Sequence, residues 1–158
     1  MITGHRPNKL GGYKTPNATQ TAIRAQLRNL LAHWLSVEPG LEVISGMALG
    51  VDQWWAEEAM ELNIPVHAFI PFWGQESKWP AESQAIYRGL LSRCATVQAS
   101  ANYYSAAVMQ TRNIDMVNAA NWHVAVWDGS SGGTGNCVAY MKSKGIAFVH
   151  IDPRTVVS

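Results

Sequence analysis

The residues best suited to chemistry lie together in one stretch, Asp128-Gly129-Ser130-Ser131-Gly132-Gly133-Thr134-Gly135-Asn136. Glycine, serine and threonine leave backbone N–H groups uncovered, and such groups at the start of a helix form an anion site. The stretch follows a short apolar run, Val124 to Trp127, and precedes a segment with Cys137, Val138 and Met141 on one side, so its order is strand, loop, helix. A tight turn that needs glycine for its own geometry has the same composition. The strand-then-helix context favours the anion site. No Lys-Ser or Lys-Thr follows the glycines, which excludes a P-loop, and Gly133-Thr134-Gly135 lacks the third glycine of a dinucleotide fingerprint. Asp128 stands at the strand exit, where a carboxylate repels phosphate; a ribose hydroxyl or a plain turn role suits it better.

A second small-residue segment, Ser45-Gly46-Met47-Ala48-Leu49-Gly50-Val51-Asp52, also permits close backbone approach. Asp52 falls near a helix start, where the dipole favours a carboxylate; that role alone accounts for it. Arg112-Asn113 lies in a later helix. Arg112 is placed either to clamp a phosphate with its fork of donors or to pair with Asp115 on the helix surface, and the spacing favours the surface pair. Trp73 and Trp79 sit in a polar loop and are candidates to stack a base, with packing onto the body as the alternative. Of the five histidines only His5, between Gly4 and Arg6, stands at a strand exit; none shares metal-ligand spacing, so no metal site is expected. Glu57 and Glu58 read as solvated acids on a helix.

The elements that must position these groups alternate regularly. A very short first strand spans Met1 to Thr3. The apolar spacing of Ile23, Leu27, Leu30, Leu31 and Trp34 predicts a helix over 19–35. A strand over 41–44, a helix over 50–62 and a strand over 65–70 follow, the last stopped by Pro71. A helix over 81–92, a strand over 95–98 and a helix introduced by Tyr103-Tyr104 and running to about Ala120 come next. A last strand spans 146–151. Such alternation argues a parallel sheet covered on both faces, whose ligands bind beyond the carboxyl ends of the strands.

Composition narrows the class. A chain of 158 residues with 47% apolar and 15% charged residues is expected to fold as one domain over 1–158 with a real core. The net charge of +1 provides no broad field for nucleic acid or a membrane surface, and no apolar run approaches the roughly 18 residues a membrane helix needs. Two distant cysteines outside any CxxC pattern make a reducing cytoplasm the expected setting.

Taken in order, Gly4-His5-Arg6-Pro7, Ser45 to Asp52 with Ala56, Arg112-Asn113 and Asp128 to Thr134 resemble the motifs of the SLOG superfamily. That group contains the DNA-processing protein A (Smf) proteins and the LOG phosphoribohydrolases, and the YpsA-like branch is the most similar. The second segment is similar to SG-x-A-x-G-[IV]-D-x-x-A, and the fourth to DG-x-x-GGT. The resemblance implies a Rossmann-like three-layer sandwich, a mostly parallel sheet flanked by helices on both faces. It further implies a pocket for a nucleotide or an ADP-ribose/NAD-derived ligand, with Gly4, His5, Arg6, Ser45, Gly46, Asp52, Arg112, Asn113, Asp128, Gly129, Gly132, Gly133, Thr134, Gly135 and Asn136 as ligand-binding residues. The phosphoribohydrolases carry PGG-x-GT-x-x-E, and Cys137 stands where their glutamate would fall, so no catalytic residue is assigned. The expected function is binding, as a sensor or sequestering protein. The alternatives are N-glycosidic cleavage of a nucleoside monophosphate and single-stranded DNA binding. A homodimer is expected by analogy with related folds.

Overall fold

A computed structural model describes residues 1–157. In chain order the elements are β1 (Ile2–Gly4), a 3-10 turn (Pro7–Lys9), α1 (Ala18–Val37), β2 (Val43–Ser45), α2 (Val51–Glu61), β3 (Val66–Phe72), α3 (Ala81–Arg93), β4 (Thr96–Ala101), α4 (Val108–Ala119), β5 (Val124–Val126), α5 (Gly133–Ser143) and β6 (Val149–Ile151). Every strand pair among the described residues is parallel, in two three-stranded sheets ordered β1-β5-β6 and β2-β3-β4. The sheets meet where β1 approaches β2, without a ladder between them. The fold is a Rossmann-like α/β sandwich.

The alternation of side chains along the strands divides the interior into two cores. Ile2, Val43, Val66, Ala68, Ile70, Val124 and Val126 point to one face, where they meet Ile23, Leu27 and Leu31 of α1, Val51, Trp55 and Ala59 of α2, and Tyr87 and Leu90 of α3. Met1 and Ala125 point to the other, against Met116 and Val117 of α4 and Cys137, Val138 and Met141 of α5. Short strands buried on both faces read as continuous apolar runs, which is why Val124-Ala125-Val126 shows no polar alternation. Asn17 starts α1 by accepting the Gln20 N–H at 2.9 Å.

Several boundaries differ from the sequence reading. β3 runs through Pro71 to Phe72. Beyond Ala68 it has no β2 partner, so the missing N–H breaks no ladder bond on that side. α4 begins at Val108, and Tyr103 and Tyr104 precede it as exposed loop residues. β6 is confined to Val149–Ile151, and the helix after the glycine loop begins within it, at Gly133. Glu58 is no solvated acid: it is buried, and it accepts from Arg24 Nε at 2.9 Å and Arg28 Nε at 2.6 Å, stitching α2 to α1.

Candidate functional site

A cleft of about 240 Å³ opens at the carboxyl ends of β1, β2 and β5. Nine of the residues singled out from sequence line it: Gly4, His5, Arg6, Asp52, Arg112, Asn113, Gly132, Gly133 and Thr134. A second cavity of about 640 Å³, near Trp34, Trp55 and Trp122, lies at the amino ends of the strands, away from these groups.

The cleft floor depends on glycines that let backbone segments touch. A Cβ on Gly4 would lie 2.5 Å from a methyl of Val51, and one on Gly50, whose φ is +95°, would lie 2.7 Å from the carbonyl of His5. The start of α2 therefore seats directly on the exit of β1. The turn between β2 and α2 is fastened internally. Ser45 Oγ donates to the Asp52 carbonyl at 2.6 Å and accepts from the Met47 N–H at 3.1 Å. Asp52 Oδ2 accepts from the Ala48 N–H at 3.2 Å. Ser45 and Gly46 thus shape the site from beneath without lining it.

Arg112 is buried, at 4% exposure. Its Nη1 donates to the carbonyls of Gly46 (2.7 Å) and Phe69 (3.3 Å), and its Nε donates to Asn113 Oδ1 (3.1 Å). Nη2 makes no hydrogen bond to the described residues. The surface pair with Asp115 is absent because Arg112 turns inward to the Gly46 and Phe69 carbonyls; Asp115 accepts from Ser100 Oγ at 2.9 Å. Burial pushes the Asp52 carboxyl up, opposed by the neighbouring Arg112 charge; burial pushes Arg112 down, opposed by Asp52. The guanidinium stays cationic, since its intrinsic pKa is far above neutrality.

The glycine loop supplies the opposite wall. Asn136 N–H donates to the Gly132 carbonyl at 2.8 Å, so this amide is spent on the helix and is not free for an anion. The amides of Gly133, Thr134 and Gly135 precede the first intrahelical bond and are free of helical partners. Gly132 has φ +137°, a conformation that favours glycine, and a Cβ on Gly132 or Gly133 would meet no atom within 4 Å. Gly135 faces inward instead, where a Cβ would lie 2.7 Å from the Ser130 carbonyl.

Asp128 and Gly129 do not line the cleft. Asp128 Oδ1 accepts from the Ser130 N–H (2.9 Å), Ser130 Oγ (2.5 Å) and His5 Nε2 (2.8 Å). The His5 ring nitrogen also lies 3.1 Å from the Asp128 amide, but it cannot accept there while donating to the carboxylate; the shorter, charge-assisted bond prevails. Asp128 is therefore a turn residue that aims His5, and these bonds hold its pKa well below the carboxylate range. Desolvation lowers the His5 pKa, partly opposed by Asp128. Lys9 Nζ donates to Ser130 Oγ at 2.5 Å, closing the segment after β1 onto the loop after β5.

The two base-stacking candidates lie elsewhere. Trp79 packs edge-on against Tyr87 (5.2 Å between centroids) at the edge of the core, which does not fit a stacking role. Trp73 is 54% exposed but outside the cleft. Residues the sequence reading missed include Lys9, Met109 and Met116. Met109, Arg112, Asn113 and Met116 follow the i, i+3, i+4, i+7 pattern of one helix face, a signal available had α4 been started after Tyr104.

No described group of three or more His, Cys, Asp or Glu side chains is arranged to hold a metal ion, and no described helix is long and apolar enough to cross a membrane.

A family model described as the YspA SLOG family matches residues 1–147. A UPF0398 protein of Bacillus pumilus (strain SAFR-032) is 29% identical over 136 residues, covering 80% of this chain and 72% of that protein. A UPF0398 protein of Bacillus cereus (strain AH820) is 30% identical over 136 residues, with the same coverage. One from Brevibacillus brevis (strain 47 / JCM 6285 / NBRC 100599) is 31% identical over 98 residues, 59% of this chain and 52% of that protein.

Proposed function

The chain belongs to the YspA SLOG family, and from that premise we propose that its cleft binds a nucleotide or an ADP-ribose/NAD-derived ligand through phosphate and releases it intact. One juxtaposition carries the reading: the buried guanidinium of Arg112, whose Nη2 has no partner among the described residues, lines the same cleft as Gly133 and Thr134 at the start of α5. A helix N-terminus and a guanidinium both favour an anion, and Arg6 and Lys9 add cations at the rim. Asp52 is the one carboxylate on this wall, and it suits a ribose hydroxyl.

Cys137, at the position where the phosphoribohydrolases carry a glutamate, favours retention without cleavage. It is fully buried behind the cleft wall, and burial pushes its thiol up to about 11, so it supplies neither a general base nor a nucleophile. N-glycosidic cleavage stays as the second reading because Asp52 is a buried carboxylate facing the cleft. Calorimetric titration with ADP-ribose, NAD and nucleoside monophosphates tests binding, and chromatography of the same mixtures tests turnover. Saturable heat with the ligand recovered whole is the expected result. Free base in the mixture would transfer the assignment to hydrolysis, and no heat from any compound would remove the proposal.

A further inference from the structure

We infer that the cleft reads the phosphoribosyl end of its ligand and not the base; this rests on the proposed nucleotide binding and narrows it. Cavities that enclose a whole small-molecule ligand run to about 300–1,000 Å³. At about 240 Å³ this one falls below that range, and it is open to solvent at the strand ends. Its wall contains no Phe, Tyr or Trp. Base recognition ordinarily relies on such rings, on which a base stacks. Of the exposed aromatics, Trp73, Tyr103 and Tyr104 follow β3 and β4, whereas the cleft is built at the exits of β1, β2 and β5, and Tyr13, in the segment after β1, does not line it.

What the wall does hold matches a phosphorylated pentose. The α5 start and Arg112 provide the anion site. Asp52 Oδ1 makes no hydrogen bond to the described residues and is free to accept from a sugar hydroxyl. Asn113 Nδ2 has only long contacts, 3.4 Å each to Gln110 Oε1 and the Gly133 carbonyl, and so is weakly committed. A ligand seated on these groups points its C1 substituent out of the cleft, and the base contributes little to affinity.

Calorimetry of the full chain with ribose 5-phosphate, AMP, GMP, CMP, UMP and adenosine tests this. The five phosphorylated compounds are expected to bind within about threefold of one another, with adenosine at least about 100-fold weaker. A nucleotide that binds more than about tenfold tighter than ribose 5-phosphate, or adenosine that binds as well as AMP, overturns the inference while leaving nucleotide binding intact. Heat from none of the six with heat from ADP-ribose or NAD overturns this inference alone, and heat from none of the eight overturns the nucleotide reading itself. Trp73→Ala gives a second readout. Unchanged AMP affinity is expected, and a loss for AMP without one for ribose 5-phosphate would show that the base is read at the rim.

Discussion

Arg112 reaches back 66 residues along the chain to donate a 2.7 Å hydrogen bond to the carbonyl of Gly46. The contact requires glycine: a Cβ there would lie 2.7 Å from Arg112 Cζ and 2.9 Å from Asp52 Oδ2. One residue without a side chain therefore sets the position of the buried cation and the buried carboxylate together. Gly46→Ala is expected to destabilise by about 1–3 kcal/mol through overpacking, measured by urea denaturation. Ligand affinity should fall with it, because the guanidinium must move.

Gly133→Ala separates binding from folding. No atom lies within 4 Å of the added methyl, and the φ at this position is not in the left-handed range. The melting temperature should stay within about 2 °C, because alanine is the better helix former. Gly133 lines the cleft beside the free amides, so a methyl added there should lower AMP affinity at least about tenfold, equivalent to about 1.4 kcal/mol.

Arg112→Lys keeps the charge and loses the fork. A lysine ammonium cannot span the Gly46 and Phe69 carbonyls and also present a donor to the cleft in one plane. The expected cost is about 1.5–3 kcal/mol of stability for the lost charged hydrogen bonds. A loss of ligand binding beyond that of a mere destabilisation should accompany it, read by calorimetry at a temperature where the variant is fully folded.

Glu58→Ala is the structural control. It leaves Arg24 and Arg28 without the buried carboxylate that joins α1 to α2, far from the cleft. Stability should fall in urea denaturation, moderated because Arg24 and Arg28 are partly exposed and keep Glu57 and Glu61, while AMP affinity is unchanged in the folded protein. A matched loss of affinity would mean that the cleft responds to general loosening.

Asp128 predicts a pH dependence. Its hydrogen bonds from Ser130 and His5 depress the native carboxyl pKa, so as pH falls the unfolded chain takes up the proton first. Stability from this group is present above the unfolded value, near pH 4, and is lost progressively below it. Asp128→Asn removes that dependence: the gap between wild type and variant in urea midpoint should be largest near pH 7 and shrink below pH 4. Parallel curves across that range would assign the acid sensitivity elsewhere.

The glycine loop and the alternation of strands and helices are legible in sequence because both are local: apolar period, turn residues and small side chains mark them directly. The role of Arg112 is not. Its i+3 neighbour Asp115 suggests a surface pair, and only the tertiary path of β2 brings the Gly46 carbonyl to it. Asp128 carries two readings in sequence, a ribose contact and a turn residue; the structure makes it a turn residue outside the cleft, whose partner His5 lies 123 positions away and is joined to it by the β1–β5 pairing. Glu58 looks solvated because nothing in its own helix reveals the two arginines of α1. Pro71 looks like a stop because the shortness of β2, which spares its missing N–H, is a property of another segment.

The most direct test of the central claim is calorimetric titration of AMP into the wild-type chain and into Gly133→Ala, each verified as folded by circular dichroism. Saturable binding at one site in the wild type, weakened at least about tenfold by the single methyl, is the predicted result. Equal binding by the two proteins, or no binding by the folded wild type, would contradict it.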